Sequence, residues 1–470
     1  MKKVMFVLIW VLGLSWVTIN ALPALAAYSS HQNDYDVNNF LSAYPFTRVS
    51  KLNDCSLCHP GGNITQNNKT TYYGSCDYCH LSYGIKPPYG VIPLNPYGTD
   101  YKNAGRTQQA LHTIEAIDSD GDGYSNVDEI FALTFPGNSN DNPALLPATT
   151  VVLNLRNVKK LPKHKQFLLL NAMKSQDFYA TYQGVTVADL LASVYIRPEA
   201  TQITVFAPDG FSKTFPIDVP DPQTSPYQYD VMGPYPKGTY YAGLDFVDYP
   251  TRHIKYKNGD IIPDELYLIL AYTRENASLA PGILEPDPNN TARLVLNGEG
   301  PFRLVNPQKG AGSPDRPSTA PVPVGDGYDY DSNKDHNAGN SVRSVTAIRV
   351  EPLPPGVTDF GWTEGGWNLV DQQQLVIYGA IDPPIYPITG QIFDKHGNPV
   401  EGVLVNIGLA SMGQVGRITS DADGKFELSF PVGSYTITAS KAGYLFNPAS
   451  ININLSKRGT KVKFHAIPAP

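Results

Sequence analysis

The chain has 470 residues, 41% of them hydrophobic, with 36 basic and 43 acidic side chains and a formal net charge of −7. That acidity argues against a nucleic-acid binder and against a protein held on an anionic membrane by charge, and it suits basic protein partners. The length is too great for one core and sets an expectation of about three domains. With 40 Gly, 41 Pro and 29 Tyr against 5 Met, the composition is that of an exported, β-rich protein.

At the amino terminus Lys2 and Lys3 precede an apolar run from Val4 to Val17, and Ala24-Leu25-Ala26 supplies small residues for cleavage before Ala27. Residues 1–26 are therefore expected to be an export signal. The run is short for a membrane span and is followed by Thr18, Asn20 and Pro23; no cysteine follows the cleavage point to carry a lipid. No later stretch is apolar for long enough to cross a bilayer, so no span is expected in the mature chain. Loss of Lys2 and Lys3 takes the balance from −7 to −9.

Residues 27–148 form the first expected unit. All four cysteines lie here, in Cys55-Ser56-Leu57-Cys58-His59 and Cys76-Asp77-Tyr78-Cys79-His80. Two thiolates three positions apart can each form a thioether to one edge of a haem, with the adjacent histidine as proximal iron ligand. The spacing thus predicts two haems c, attached through Cys55, Cys58, Cys76 and Cys79, with His59 and His80 on the irons. A zinc ribbon also fits two Cys-x-x-Cys pairs, and two short disulfide loops suit an exported chain, but neither uses the histidine after both pairs. His31 and His112 are the other histidines of the first 150 residues and the expected distal ligands of six-coordinate, low-spin iron.

Gly61-Gly62, Lys86-Pro87-Pro88 and Leu94-Asn95-Pro96-Tyr97-Gly98 read as turns rather than helix or strand. With few aliphatic side chains nearby, haem is expected to supply much of the core. The stretch from Asp118 to Glu129 then meets the twelve-residue EF-hand template. Asp118, Asp120 and Asp122 would offer side-chain oxygens, Tyr124 its carbonyl, Asn126 an oxygen directly or through water, and Glu129 a bidentate carboxylate, all to calcium. An acidic, solvated turn without metal is the alternative. Leu111, Ile114 and Ile117 predict a helix entering the loop, and Ile130 with Leu133 a short helix leaving it.

Together the Cys-x-x-Cys-His motifs, Leu94-Asn95-Pro96-Tyr97-Gly98-Thr99-Asp100-Tyr101, the acidic loop and Phe135-Pro136-Gly137-Asn138-Ser139-Asn140 resemble exported cytochrome c family proteins of metal-reducing and related anaerobic bacteria. Many such relatives carry one haem motif in this arrangement, so the second haem rests on residues 76–80 themselves.

In residues 149–382 the segments 151–155, 202–206 and 292–296 read as strands, and Val187–Val194 and Pro263–Ala271 have helical spacing, which predicts an α+β domain. Gly184-Val185-Thr186-Val187-Ala188-Asp189-Leu190-Leu191, Val205-Phe206-Ala207-Pro208-Asp209-Gly210-Phe211, Gly300-Pro301-Phe302-Arg303-Leu304-Val305 and residues 342–350 resemble the molybdopterin-binding domain of sulfite-oxidase-like proteins. In that family a cysteine thiolate binds molybdenum, and this chain has no cysteine beyond Cys79. A molybdenum cofactor is therefore not expected, and the domain is read as a scaffold or docking module. Arg303 is either a relic of an anion site or an ordinary surface residue. Residues 306–336, rich in Pro, Gly, Ser and Asp, read as an inserted surface loop.

From Ile388 short alternating strands separated by Gly397-Asn398-Pro399, Asp423-Gly424 and Gly433 predict a β-sandwich over residues 383–470, introduced by a stiff Pro383-Pro384 linker. The segment resembles the carboxypeptidase-regulatory or transthyretin-like domain, which carries no chemistry of its own. The expected fold class is thus multidomain: a haem-organised irregular and α cytochrome c module with an EF-hand-like loop, an α+β sulfite-oxidase-like domain and a C-terminal β-sandwich. The expected function is electron transfer between redox partner proteins in the periplasm, on the outer-membrane surface or outside the cell, with a cell-surface or extracellular acceptor. Two other readings are a redox enzyme whose central domain binds a molybdopterin-type cofactor or small anion and feeds the haems, and a structural or appendage component of the cell surface.

Overall fold

The structure, a computed structural model, describes residues 35–45, 47, 52, 57–58, 62–66, 69–73, 94–172, 177–208, 211–218, 230–242, 247–248, 256–287, 290–308, 314, 336–359, 367–409, 413–441 and 443–468. The export signal and His31, Cys55, His59, Cys76, Cys79 and His80 lie outside these residues, as does most of the 306–336 insertion. Among the described residues no helix is long and apolar enough to cross a membrane. The chain is multidomain and mostly β, with few helices and a sandwich at the C-terminus.

The first unit contains the helices Tyr35–Ala43, Pro96–Asn103, Gln108–Thr113 and Asn126–Ala132, and a hairpin in which Gly62–Gln66 pairs with Lys69–Tyr73. Asn95-Pro96, read as a turn, instead starts a helix. Asn95 is its N-cap, accepting from Gly98 N at 2.7 Å, and Pro96 takes the first turn, where no N–H is needed. The chain also supplies its own core here. Phe40, Tyr44, Leu57, Tyr97, Tyr101, Leu111, Ile114, Ile130 and Phe135 are buried together. Aromatic residues far apart in sequence take the place that aliphatic runs fill elsewhere. Ile117, placed on the apolar stripe by its spacing, is 42% exposed because the entering helix stops at Thr113.

Two larger sheets build the central unit. One runs in the order Thr150–Asn154, Gln374–Gly379, Ala347–Glu351, Gln202–Phe206, Ser212–Pro216. In the other, Asp177–Thr186 lies between His164–Leu170 and Ile269–Arg274, and Arg303–Val305 adds to Ile269–Arg274. Leu168, Leu170, Val185, Leu270, Ile348, Val350, Leu375 and Ile377 belong to one core of this unit. The predicted helix over 187–194 is present as Val187–Ser193, capped by the Thr186 hydroxyl on Asp189 N. The helical spacing over 263–271 misleads. Ile269, Leu270 and Ala271 form a central strand hydrogen-bonded on both sides, to Gly184–Thr186 and to Arg303–Val305, so apolar continuity reflects burial on two faces.

Two four-stranded sheets form the C-terminal sandwich. Lys425–Pro431, Ile385–Asp394, Thr460–Pro468 and Tyr444–Asn447 make one; Gly413–Thr419, Leu404–Leu409, Gly433–Ser440 and Ser450–Leu455 make the other. The sandwich shares a core with the central unit. Successive residues of a strand face opposite ways, and along Ala347–Glu351 and Gln374–Gly379 this sends Ile348, Val350, Leu375 and Ile377 inward. Ala347, Val376 and Tyr378 turn the other way, into one cluster with Ile388, Ile392, Val405, Ile407, Ile437 and Phe464.

Candidate functional site

The backbone of the first Cys-x-x-Cys-His motif is gripped by the helix Pro96–Asn103. Asn95 N donates to the Cys58 carbonyl at 2.9 Å and Asn95 Nδ2 to the Leu57 carbonyl at 3.0 Å. A Cβ at Gly98 would sit inside the Cys58 carbonyl, and one at Gly137 would overlap the Asn95 side chain, so both glycines permit this contact. Cys58 is half-buried. Beside it Tyr97 is 0% exposed, and its hydroxyl has no hydrogen-bond partner among the described residues. Burial first, then the neighbouring Cys58, Tyr44, Tyr101 and Glu115, hold that phenol well above its ordinary range. A buried hydroxyl without an acceptor is destabilising.

His112 lies in the last turn of the entering helix, with its side chain 40% exposed. Its Nδ1 donates to Glu115 Oε1 at 2.8 Å, and the same oxygen accepts from Tyr44 Oη at 3.0 Å. A carboxylate on Nδ1 leaves the lone pair on Nε2, the arrangement found behind metal-bound imidazoles.

Asp100, on the Cys58-gripping helix, accepts the Ser119 hydroxyl at 2.7 Å and so ties that helix to the acidic loop. The loop's ends are joined by Asn126 N to the Ile117 carbonyl at 2.7 Å and Val127 N to the Glu115 carbonyl at 3.0 Å. Between them Asp118, Asp120 and Asp122 bring carboxylate oxygens within 4.8 Å of one another. Asp118 accepts from the amides of Gly121 and Gly123, and Tyr124 N donates to Asp122 at 3.0 Å. Both oxygens of Asp120, one of Asp122 and both of Glu129 are buried without a hydrogen-bond partner among the described residues, and Glu129 is 0% exposed.

Burial pushes the Glu129 carboxyl up to about 9, reinforced by Asp120, Asp122, Asp141 and Asp118. Burial and Asp122 also raise Asp120. Such a cluster is unfavourable for protein alone, and hard oxygen donors converging in this way suit a hard divalent cation. Asn126, expected to offer an oxygen to the metal, has its amide engaged within the protein: Nδ2 donates to the Ile114 carbonyl at 2.8 Å and Oδ1 accepts from Ser119 N at 3.3 Å. Asp141 was not singled out by sequence. It accepts from Phe135 N at 3.0 Å and adds to the negative charge that raises the Glu129 carboxyl, on the segment after the exit helix Asn126–Ala132.

Residues 387–464 match the carboxypeptidase regulatory-like domain. No curated protein matches the chain. Among solved structures the chain is similar to the TIE protein of Bacillus anthracis, at 17% identity over 20% of this chain and 18% of that one, TM-score 0.16. It is also similar to a DUF3823 family protein from Parabacteroides merdae ATCC 43184, at 18% identity over 18% and 48%, TM-score 0.16. A third is 3-chlorocatechol 1,2-dioxygenase from Rhodococcus opacus 1CP, at 14% identity over 19% and 61%, TM-score 0.15. The chain thus spans less than two thirds of each of these proteins.

In the central unit Arg303 is neither a surface residue nor open to meet an anion. It is 5% exposed, with Nη1 2.8 Å from Glu299 and 2.9 Å from Tyr182 Oη, and Arg274 reaches the same Glu299 oxygen at 3.2 Å. The donors here do not fit a thiolate-bound metal.

Proposed function

We propose that the chain is an exported c-type cytochrome that passes electrons between partner proteins, with calcium fixing the geometry of its haem-bearing unit. The observation that carries this reading is the buried hydroxyl of Tyr97 beside Cys58, on a helix tied through Asp100 to a loop that holds the buried, unpartnered carboxylate oxygens of Asp120, Asp122 and Glu129. When bound, haem c supplies a one-electron couple held covalently in place. Cys55 with Cys58, and Cys76 with Cys79, attach the two groups; His59 and His80 provide proximal nitrogens, and His112 and His31 distal ones. Asn95 and Gly98 fix the Cys58 backbone, and Glu115 orients the His112 ring. Asp118, Asp120, Asp122 and Glu129 hold calcium, which neutralises the crowded charge and locks the two flanking helices. The central unit and the sandwich serve as scaffold and docking surface.

Two measurements test the reading together. Pyridine haemochrome analysis of the exported protein should report two haems c, falling to one in the Cys55→Ser, Cys58→Ser variant. Calcium should raise the melting temperature, by an amount corresponding to about 3 kcal/mol at a hundredfold excess over its dissociation constant, and Glu129→Gln should remove the response. Zinc without haem would overturn the first part, and an unchanged calcium response in Glu129→Gln the second.

A further inference from the structure

Arg417 sits in the strand Gly413–Thr419 of the sandwich, opposite Asn406. Its guanidinium does not stay there. Nη1 donates to the Ala132 carbonyl at 3.2 Å, and Nη2 donates to the Pro143 carbonyl. Ala132 ends the exit helix, and the chain reverses at Leu133 with φ of 58°. Its carbonyl is one of those that no N–H within the helix can reach, at the negative end of the helix. A planar fork of donors carrying positive charge matches two such carbonyls better than a point charge would.

Both acceptors are fastened to Glu129. It lies on the same helix as Ala132, and its carbonyl accepts Thr134 N at 2.9 Å and the Thr134 hydroxyl at 3.3 Å. From there the chain runs back through Phe135 and Asp141 to Pro143, held by Phe135 N on the Asp141 carboxylate. Whatever moves Glu129 therefore moves both carbonyls that Arg417 holds.

We propose that the C-terminal sandwich is the intramolecular partner of the acidic loop: Arg417 grips the helix end and return segment that Glu129 anchors, so that calcium loading and docking of the sandwich are thermodynamically linked. The inference rests on the calcium reading above. Linkage is reciprocal: calcium tightens the docked sandwich, and the docked sandwich tightens calcium.

The test uses the full mature chain. Isothermal titration with calcium should show affinity at least about fivefold weaker in Arg417→Ala, partly restored in Arg417→Lys, and unchanged in Lys463→Ala on the other sheet. Hydrogen exchange over 413–419 should slow on adding calcium to the wild type and not in Glu129→Gln. That arm needs no Arg417 variant to fold. Equal calcium affinity in wild type and Arg417→Ala, or exchange over 413–419 indifferent to calcium, overturns the linkage and leaves the calcium site standing. A wild-type chain that binds no calcium overturns both.

Discussion

Glu299 shows how a single carboxylate sets the pH dependence of a core. Burial alone would raise its pKa, but the Arg303 and Arg274 guanidiniums and the hydrogen bonds from Arg303 and Tyr182 more than offset that, and the carboxyl lies below its ordinary range. A group with a depressed folded pKa contributes stability that is complete above the ordinary carboxylate pKa and is lost as pH falls through the folded value. Removing one partner of a buried pair costs about 3 kcal/mol or more, because Arg303 is left without its counter-charge. Glu299→Gln should therefore lower the stability of the central unit at pH 7 by about that amount. The gap between wild type and variant should narrow steadily below about pH 4 as the wild-type carboxylate takes up its proton. Denaturant titrations at several pH values measure this, and a gap independent of pH would show that the pair contributes nothing through charge.

Among elements, the helix Pro96–Asn103 is the instructive one. Asn before Pro carries two signals, one for a turn and one for a helix start, and contacts made elsewhere in the fold decide between them. Here Gly98 weakens the helix, and the gain comes from outside it, from the contact of Asn95 and Gly98 with the Leu57–Cys58 backbone. Local sequence could not show that contact. The same holds for Ile269–Arg274, whose apolar run reads equally as one face of a helix or as a strand buried on both sides until its partners are known. By contrast Val187–Ser193 was legible because its cap, its acidic first turn and its apolar face agree, and the sandwich was legible because each strand alternates between turn residues. The acidic loop could be read position by position, since its template is local, whereas Asp141, the Asp100–Ser119 tie and the engagement of Asn126 depend on folding. Asn95→Ala should remove both the N-cap and the buried bond to Leu57, destabilising the first unit by about 2 kcal/mol. Asn95→Asp should recover the cap and not the donor to Leu57. Differential calorimetry would show a lower first transition in Asn95→Ala, and an unaltered one would mean that neither the Asn95 cap nor its bond to Leu57 is what orders this helix.

At the scale of the whole molecule, the sequence suggested beads separated by a proline linker, and the structure joins two of them through one strand pair read from both faces. Ile348 and Leu375 pack into the central core, while their neighbours Ala347, Val376 and Tyr378 complete the core of the sandwich. Period-two burial on a strand with no solvent side cannot be told from sequence, because both sets of positions are apolar. Separating the two units would expose the lower face of the central sheet to water, at about 25 cal/mol for each Å² of apolar surface. Units joined in this way should unfold together. Ile388, fully buried on the sandwich side, gives the test: Ile388→Ala creates a cavity costing about 2–5 kcal/mol. If the cores are one cooperative body, the variant lowers a single transition followed equally by hydrogen exchange in 404–409 and in 202–206. Two transitions, with only that of 404–409 displaced, would mean that the sandwich folds by itself and that the shared cluster is a contact between finished domains.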